Sequence, residues 1–224
     1  MKTVPIKNTG APLVVFFAGW GMDETPFADF DTGDCDFAVC YDYTTLDVED
    51  AGILQGREIR RVVAWSFGVW AMSVLAERFP ALASAPERIA VNGTTSPIDD
   101  EYGIPPAVFE GTLANFSETS LAKFERRMCR DPANLAFYDS RRPKRSAESL
   151  KTELGAIRGH AEKSADSQFQ NQYTDAIIGI RDTIFPSRKQ LAAWQKTPSV
   201  KIATSDSPHY SDAVLRNATR NGAN

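Results

Sequence analysis

The chain has 224 residues, of which 42% are hydrophobic and 24% charged, and its formal net charge is −4. That composition suits one globular domain with room for a sizeable core, and it excludes the global positive field that would mark a nucleic-acid partner. Residues Met1 to Lys7 hold no apolar signal core, and no run reaches the roughly 18 apolar residues of a membrane span, so the sequence predicts a cytoplasmic protein with no membrane partner.

Short apolar runs recur along the chain. Leu13-Val14-Val15-Phe16-Phe17-Ala18 is continuous and unalternating, the pattern of a strand buried on both faces. It ends in Gly19-Trp20-Gly21. A second run, Phe37 to Tyr41, ends at Asp42. Cys40 in this run reads as a small core residue. The three cysteines, Cys35, Cys40 and Cys129, show no metal spacing and read as reduced thiols. A third strand, Arg61 to Ala64, feeds Trp65-Ser66-Phe67-Gly68. Val69 to Phe79 then carries helical spacing and stops at Pro80. Arg88 to Asn92 is a fourth strand.

From about residue 97 to about 167 the strand rhythm stops. Ala107 to Asn115, Leu121 to Arg130 and Ala147 to Lys163 read as helices, punctuated by Pro105-Pro106, Asp131-Pro132 and Arg142-Pro143. Strands resume at Ala176 to Ile180 and Val200 to Ala203, with a helix from Ser187 to Gln195 between them and Ser187 as its N-cap. Alternating strands and helices imply a mostly parallel sheet covered on both faces. The helical stretch is either a cap at the strands' carboxyl ends, where ligands bind in such sheets, or a set of ordinary crossover helices. The cap is the expected reading.

The strand-turn-helix around Ser66 has the form of a nucleophile elbow, with Ala64 in place of the first glycine of Gly-x-Ser-x-Gly. Such a serine is an attacking hydroxyl. The alternative is a simple helix N-cap. A serine hydroxyl needs a base, and the chain has two histidines. His160 lies among charged residues on a helix and reads as solvated. His209 lies in Ser205-Asp206-Ser207-Pro208-His209, just past the last strand. Asp182, two residues past the strand ending at Ile180, is the expected orienting acid, with Asp206 as the runner-up. The chain order Ser66, Asp182, His209 is that of the α/β-hydrolase fold. Backbone N–H groups of Trp20 and Phe67 are the expected oxyanion donors. Trp20, Trp65 and Phe67 would line an apolar substrate site. In the helical stretch, Lys123-Phe124-Glu125-Arg126-Arg127 through Arg130, and Arg141-Arg142-Pro143-Lys144-Arg145, concentrate cations. Arg126, Arg127 and Arg130 are candidate docking residues for an acidic partner. The other reading of these cations is a solvated helix face.

Phe17-Ala18-Gly19-Trp20-Gly21, Cys40-Tyr41-Asp42-Tyr43, Val63-Ala64-Trp65-Ser66-Phe67-Gly68-Val69-Trp70, Val91-Asn92-Gly93-Thr94, Tyr102-Gly103-Ile104-Pro105 and Lys123-Phe124-Glu125-Arg126-Arg127 together resemble the BioG family. These are compact α/β-hydrolases of biotin synthesis. The resemblance covers most of the chain and is weakest between Arg142 and Thr174. It implies hydrolysis of the methyl ester of pimeloyl-acyl carrier protein, with Ser66 as nucleophile, His209 as base and Asp182 as orienting acid. It also implies that the cap cations meet an acyl carrier protein and that no cofactor or metal is used. The residues alone leave open a generic carboxylesterase or thioesterase, and a non-catalytic ligand-binding protein of the same fold.

Overall fold

A computed structural model of the chain describes residues 1–165, 167, 169 and 172–223. Seven strands form one sheet: β1 (Lys2–Lys7), β2 (Leu13–Phe17), β3 (Asp36–Tyr41), β4 (Ile59–Trp65), β5 (Glu87–Val91), β6 (Asp175–Gly179) and β7 (Lys201–Ser205). Their spatial order is β1-β3-β2-β4-β5-β6-β7. All neighbours are parallel except β1, which runs antiparallel to β3 at the edge.

Every residue of β2 and β3 is buried, and Phe16 of β2 packs on Phe27 and Phe30 of the segment that follows it. The edges are different. β7 is mostly exposed, and β1 alternates weakly around Pro5. Proline lacks an N–H and is tolerated at a sheet edge. This is why β1 carries no strand signal in the sequence.

Among the described residues, eight α-helices accompany the sheet. α1 (Phe67–Ala76) and α2 (Pro80–Ser84) follow β4, while α7 (Ser187–Gln195) and α8 (Asp212–Asn221) follow β6 and β7. The run expected as a helix to Phe79 ends at Ala76, and Pro80, expected as its stop, opens the separate helix α2 at its first turn. Ser187 is not the N-cap of α7: Pro186 holds that position and Ser187 is the first helical residue. Between β5 and β6 lie α3 (Pro106–Ala114), α4 (Glu118–Cys129), α5 (Pro132–Asp139) and α6 (Ala147–Lys163). α5 went unread because Asp131-Pro132 looks like a break. It is a start: the Asp131 side chain accepts from Asn134 N–H and Pro132 occupies the first helical position. The insertion expected to end at residue 167 includes position 166, which lies outside the described residues.

α6 is welded to the sheet by buried polar bonds. Glu153, fully buried, accepts from Tyr43 N–H at 2.9 Å, from Gly21 N–H at 3.3 Å and from Arg145 Nη1 at 2.6 Å. Arg145 also pairs with Asp42 at 3.0 Å. Burial pushes the Glu153 carboxyl up to about 7, against the opposing pull of Arg145 and Tyr43 N–H. A carboxyl raised in this way contributes its stability in full below its ordinary value of 4.5 and loses it as pH rises through about 7. Glu153→Gln has no proton to release. Wild-type stability relative to that variant is therefore expected to fall between pH 4.5 and pH 7.5, as read by urea denaturation at both; a constant difference would refute the shift.

Candidate active site

β4 delivers Ser66 and β6 delivers Asp182. β7 delivers His209, and β2 delivers the Gly19–Met22 loop. All four lie at the carboxyl ends of parallel strands.

Ser66 adopts φ 60° and ψ −128°, a conformation that costs a non-glycine residue on the order of 1–3 kcal/mol. It stands at the N-cap position of α1 yet makes no side-chain cap bond. Its hydroxyl instead lies 3.0 Å from His209 Nε2. The strained turn is allowed by its small neighbours. A Cβ at Gly68 would come within 2.3 Å of the Phe17 carbonyl oxygen, so this position admits no side chain. Ala64, fully buried inside β4, has room for one methyl group and no need of glycine.

His209 Nδ1 lies 2.8 Å from Asp182 Oδ2. The ring is fixed between Phe185, stacked at 6.0 Å, and Trp65 at 5.4 Å. Its backbone carbonyl accepts from the Trp65 indole at 2.9 Å and from Asn92 Nδ2 at 2.9 Å. Asn92 also accepts from Gly179 N–H at 2.6 Å, so one side chain ties the ends of β5 and β6 to the histidine loop. Asp182 is equally constrained. Oδ1 accepts from Ile184 and Phe185 N–H, and Oδ2 accepts from Gln190 at 3.0 Å as well as facing His209. With the carboxylate at Nδ1, the imidazole carries its proton there and presents an acceptor lone pair at Nε2 to the serine hydroxyl. Ser66, Asp182 and His209 are all buried.

The Trp20 and Phe67 amides make no backbone hydrogen bond among the described residues. The loop carrying Trp20 turns at Gly21, φ 82°, and its indole donates to Leu150 O at 2.9 Å. A chamber of about 30 Å³ lies over Ser66 and His209. Trp20, Trp65 and Phe67 line it from the sheet side. Phe109, Phe124 and Met128 line it from the insertion, and Arg127 supplies its one formal cation. Trp65, 1% exposed, serves His209 as a floor as much as it borders the chamber.

The other sequence expectations divide. Asp206 pairs with Arg181 at 3.0 Å and does not contact the histidine ring. His160 is half-buried, its Nε2 3.3 Å from Thr44 O, and does not line the chamber. The Cys40 thiol, buried and pushed up to about 12, is a core residue. Arg130 lies outside the helix that carries Arg126 and Arg127. α4 ends at Cys129, and Arg130 is its C-cap at φ 69°, reversing the chain toward Asp131. The two cation clusters also separate. Arg141 pairs with Asp29, Arg142 with Asp139 and Glu125, and Arg145 with Glu153 and Asp42. Lys123, Arg126, Arg127 and Arg130 are exposed and in no ion pair among the described residues.

Comparison with known proteins identifies the architecture. Residues 1–215 match the family described as pimeloyl-ACP methyl esterase BioG. The chain belongs to the BioG family. A crystal structure of BioG from Haemophilus influenzae is 33% identical, superposes with a TM-score of 0.82 and is covered over 95% of both chains. A Bacteroides fragilis protein named malonyl-[acyl-carrier protein] O-methyltransferase is 45% identical over 91% of this chain, but the match spans only 40% of that protein's length. The name of that longer protein thus describes more than the shared segment. An esterase from Rhodococcus, 13% identical with a TM-score of 0.65 over 97% of this chain and 93% of its own, shares the α/β-hydrolase fold.

Proposed function

We propose that this BioG-family chain is a serine esterase that hydrolyses the methyl ester of a pimeloyl group held on acyl carrier protein, in biotin synthesis. The carrying observation is the unbroken hydrogen-bonded line from Ser66 Oγ through His209 to Asp182 beneath an apolar chamber. His209 Nε2 takes the serine proton as Oγ attacks the ester carbonyl. The new oxyanion is held by the Trp20 and Phe67 amides, which donate to no other backbone group among the described residues. The imidazolium returns its proton to the methoxy oxygen, methanol leaves, and an acyl-enzyme remains on Ser66. Water then attacks with His209 as base, which releases the free carboxylate and restores the serine. Asp182 stabilises the imidazolium twice in each cycle.

The apolar lining suits a methylene chain rather than a sugar or phosphate. The insertion acts as a cap over the site. A groove of about 310 Å³ runs between α3 and α4 and shares Val108, Thr112, Phe124 and Arg127 with the chamber. Lys123 and Arg127 border it. Carrier proteins are acidic, and unpaired cations at this rim give such a partner a docking site whose effect falls with salt. Arg126 extends the patch along α4, and Arg130 lies just beyond the helix end.

Turnover of the carrier-linked methyl ester is compared with that of a simple p-nitrophenyl ester. Reversing Lys123 and Arg126, which do not line the chamber, to glutamate is expected to raise KM for the carrier substrate at least tenfold while small-ester KM changes less than twofold. Equal effects on both, or none on either, would leave a generic carboxylesterase as the better reading.

A further inference from the structure

One of the two donors proposed for the oxyanion hole, Trp20 N–H, lies on the Gly19–Met22 loop, and a loop amide works only if its peptide plane is fixed. The loop is held at both ends. On the strand side, Ala18 N–H donates to Cys40 O, and Tyr43 Oη donates to Ala18 O at 2.6 Å. On the far side, Gly21 N–H donates to Glu153 Oε2, and Met22 O accepts from Arg145 Nη1 at 3.3 Å. Both far-side partners come from the insertion, as does Leu150 O under the Trp20 indole. Trp20 N–H is thus the amide left undirected, one residue before an amide that a carboxylate grips.

We infer that Glu153, braced by Arg145, is a positioning residue for this hydrolase: it fixes the Gly21 peptide and so aims the adjacent Trp20 N–H at the oxyanion. This rests on the esterase reading above. Three observations support it. Glu153 has no exposed surface, so its charge is placed at a desolvation cost that a packed leucine would avoid. Its two oxygens divide between Tyr43 N–H after β3 and Gly21 N–H after β2, the two loops that frame Trp20. Arg145 does not stand free beside it: it reaches Asp42, Met22 O and Ser149 Oγ at once, so the pair is a cross-brace rather than a lone ion pair.

The test uses the full-length protein and p-nitrophenyl butyrate, with active sites counted by fluorophosphonate labelling. Misplacing an oxyanion donor costs about 10- to 100-fold in rate. Glu153→Gln is expected to lose that much kcat per labelled site with KM within about threefold, and its labelling rate constant should fall in parallel, because the phosphonyl oxygen uses the same donors. Glu153→Asp, which keeps charge toward Arg145 but retreats from Gly21, should fall with it. A kcat per site equal to wild type in both variants overturns the inference. If neither folds, Arg145→Lys is read by the same criterion, since it keeps the charge and loses the cross-brace. A wild type that neither turns over ester nor accepts the label instead overturns the esterase reading itself, a result no Glu153 variant can mimic.

Discussion

Ser66→Ala is expected to lower ester turnover by about 10⁶-fold, the scale on which a serine hydrolase loses rate with its nucleophile. The hydroxyl has no other task. It caps no helix and accepts from no backbone amide, and its one side-chain partner is His209 Nε2 at 3.0 Å. The loss should come almost wholly from kcat, because the chamber walls that hold an acyl chain are untouched. Folding should survive. Removal of the hydroxyl leaves one buried imidazole nitrogen without its partner, a cost of about 1–3 kcal/mol. Two measurements bear on this together: single-turnover rates, and labelling by a fluorophosphonate, which should be stoichiometric in wild type and absent from the variant. Turnover at the wild-type level in Ser66→Ala would sink the nucleophile assignment, and an unlabelled wild type would favour a non-catalytic binding protein.

The second large effect belongs to Asp182. Asp182→Asn should lower kcat by about 10⁴-fold. The side chain is anchored at Oδ1 by Ile184 N–H and Phe185 N–H, and an asparagine oxygen keeps both bonds. An amide nitrogen in the position of Oδ2 would donate toward His209 Nδ1 and force the ring proton to Nε2, where the serine needs an acceptor. The histidine would stay in position and lose its function. A kcat within tenfold of wild type would show that the acid is elsewhere. Asp206→Asn is the control: held by Arg181 at the surface, it should change kcat by less than about twofold.

The convergence of Ser66, Asp182 and His209 was legible in the sequence because the fold spaces them in a readable way. Each of the three follows an apolar strand within a few residues, and strands buried on both faces announce themselves by composition. β2 to β6 were placed within about two residues. What was not legible has physical reasons. β1 hides behind Pro5, and α5 behind a dipeptide that ends one structure and begins the next. Asn92 and Gln190 serve the site through side-chain bonds to distant loops, 117 and 8 residues away along the chain. Nothing in their local pattern marks them, although Asn92 stands beside Gly93 just past a strand. Glu153 is hidden further. On α6 it reads as one more charge among charges, and only the packing of that helix on the Gly19–Met22 loop makes it internal. The cation clusters failed differently: composition counts charges but does not see which have found partners.

The insertion is not held evenly. α6 is joined to the sheet loops by a buried carboxylate, a guanidinium and an indole. α3 meets α6 through one exposed pair, Arg158 with Glu110 at 3.2 Å, and otherwise presses Phe109 on Phe67. The pocket over Ser66 and His209 is lined from α3 and α4 as well as from the sheet loops. The wall with the fewest polar bonds is the one that gives first. It also borders the groove that Lys123 and Arg127 rim. The polar bracing thus falls on the side that holds Trp20, while the groove rimmed by Lys123 and Arg127 lies against the side held mainly by apolar contact.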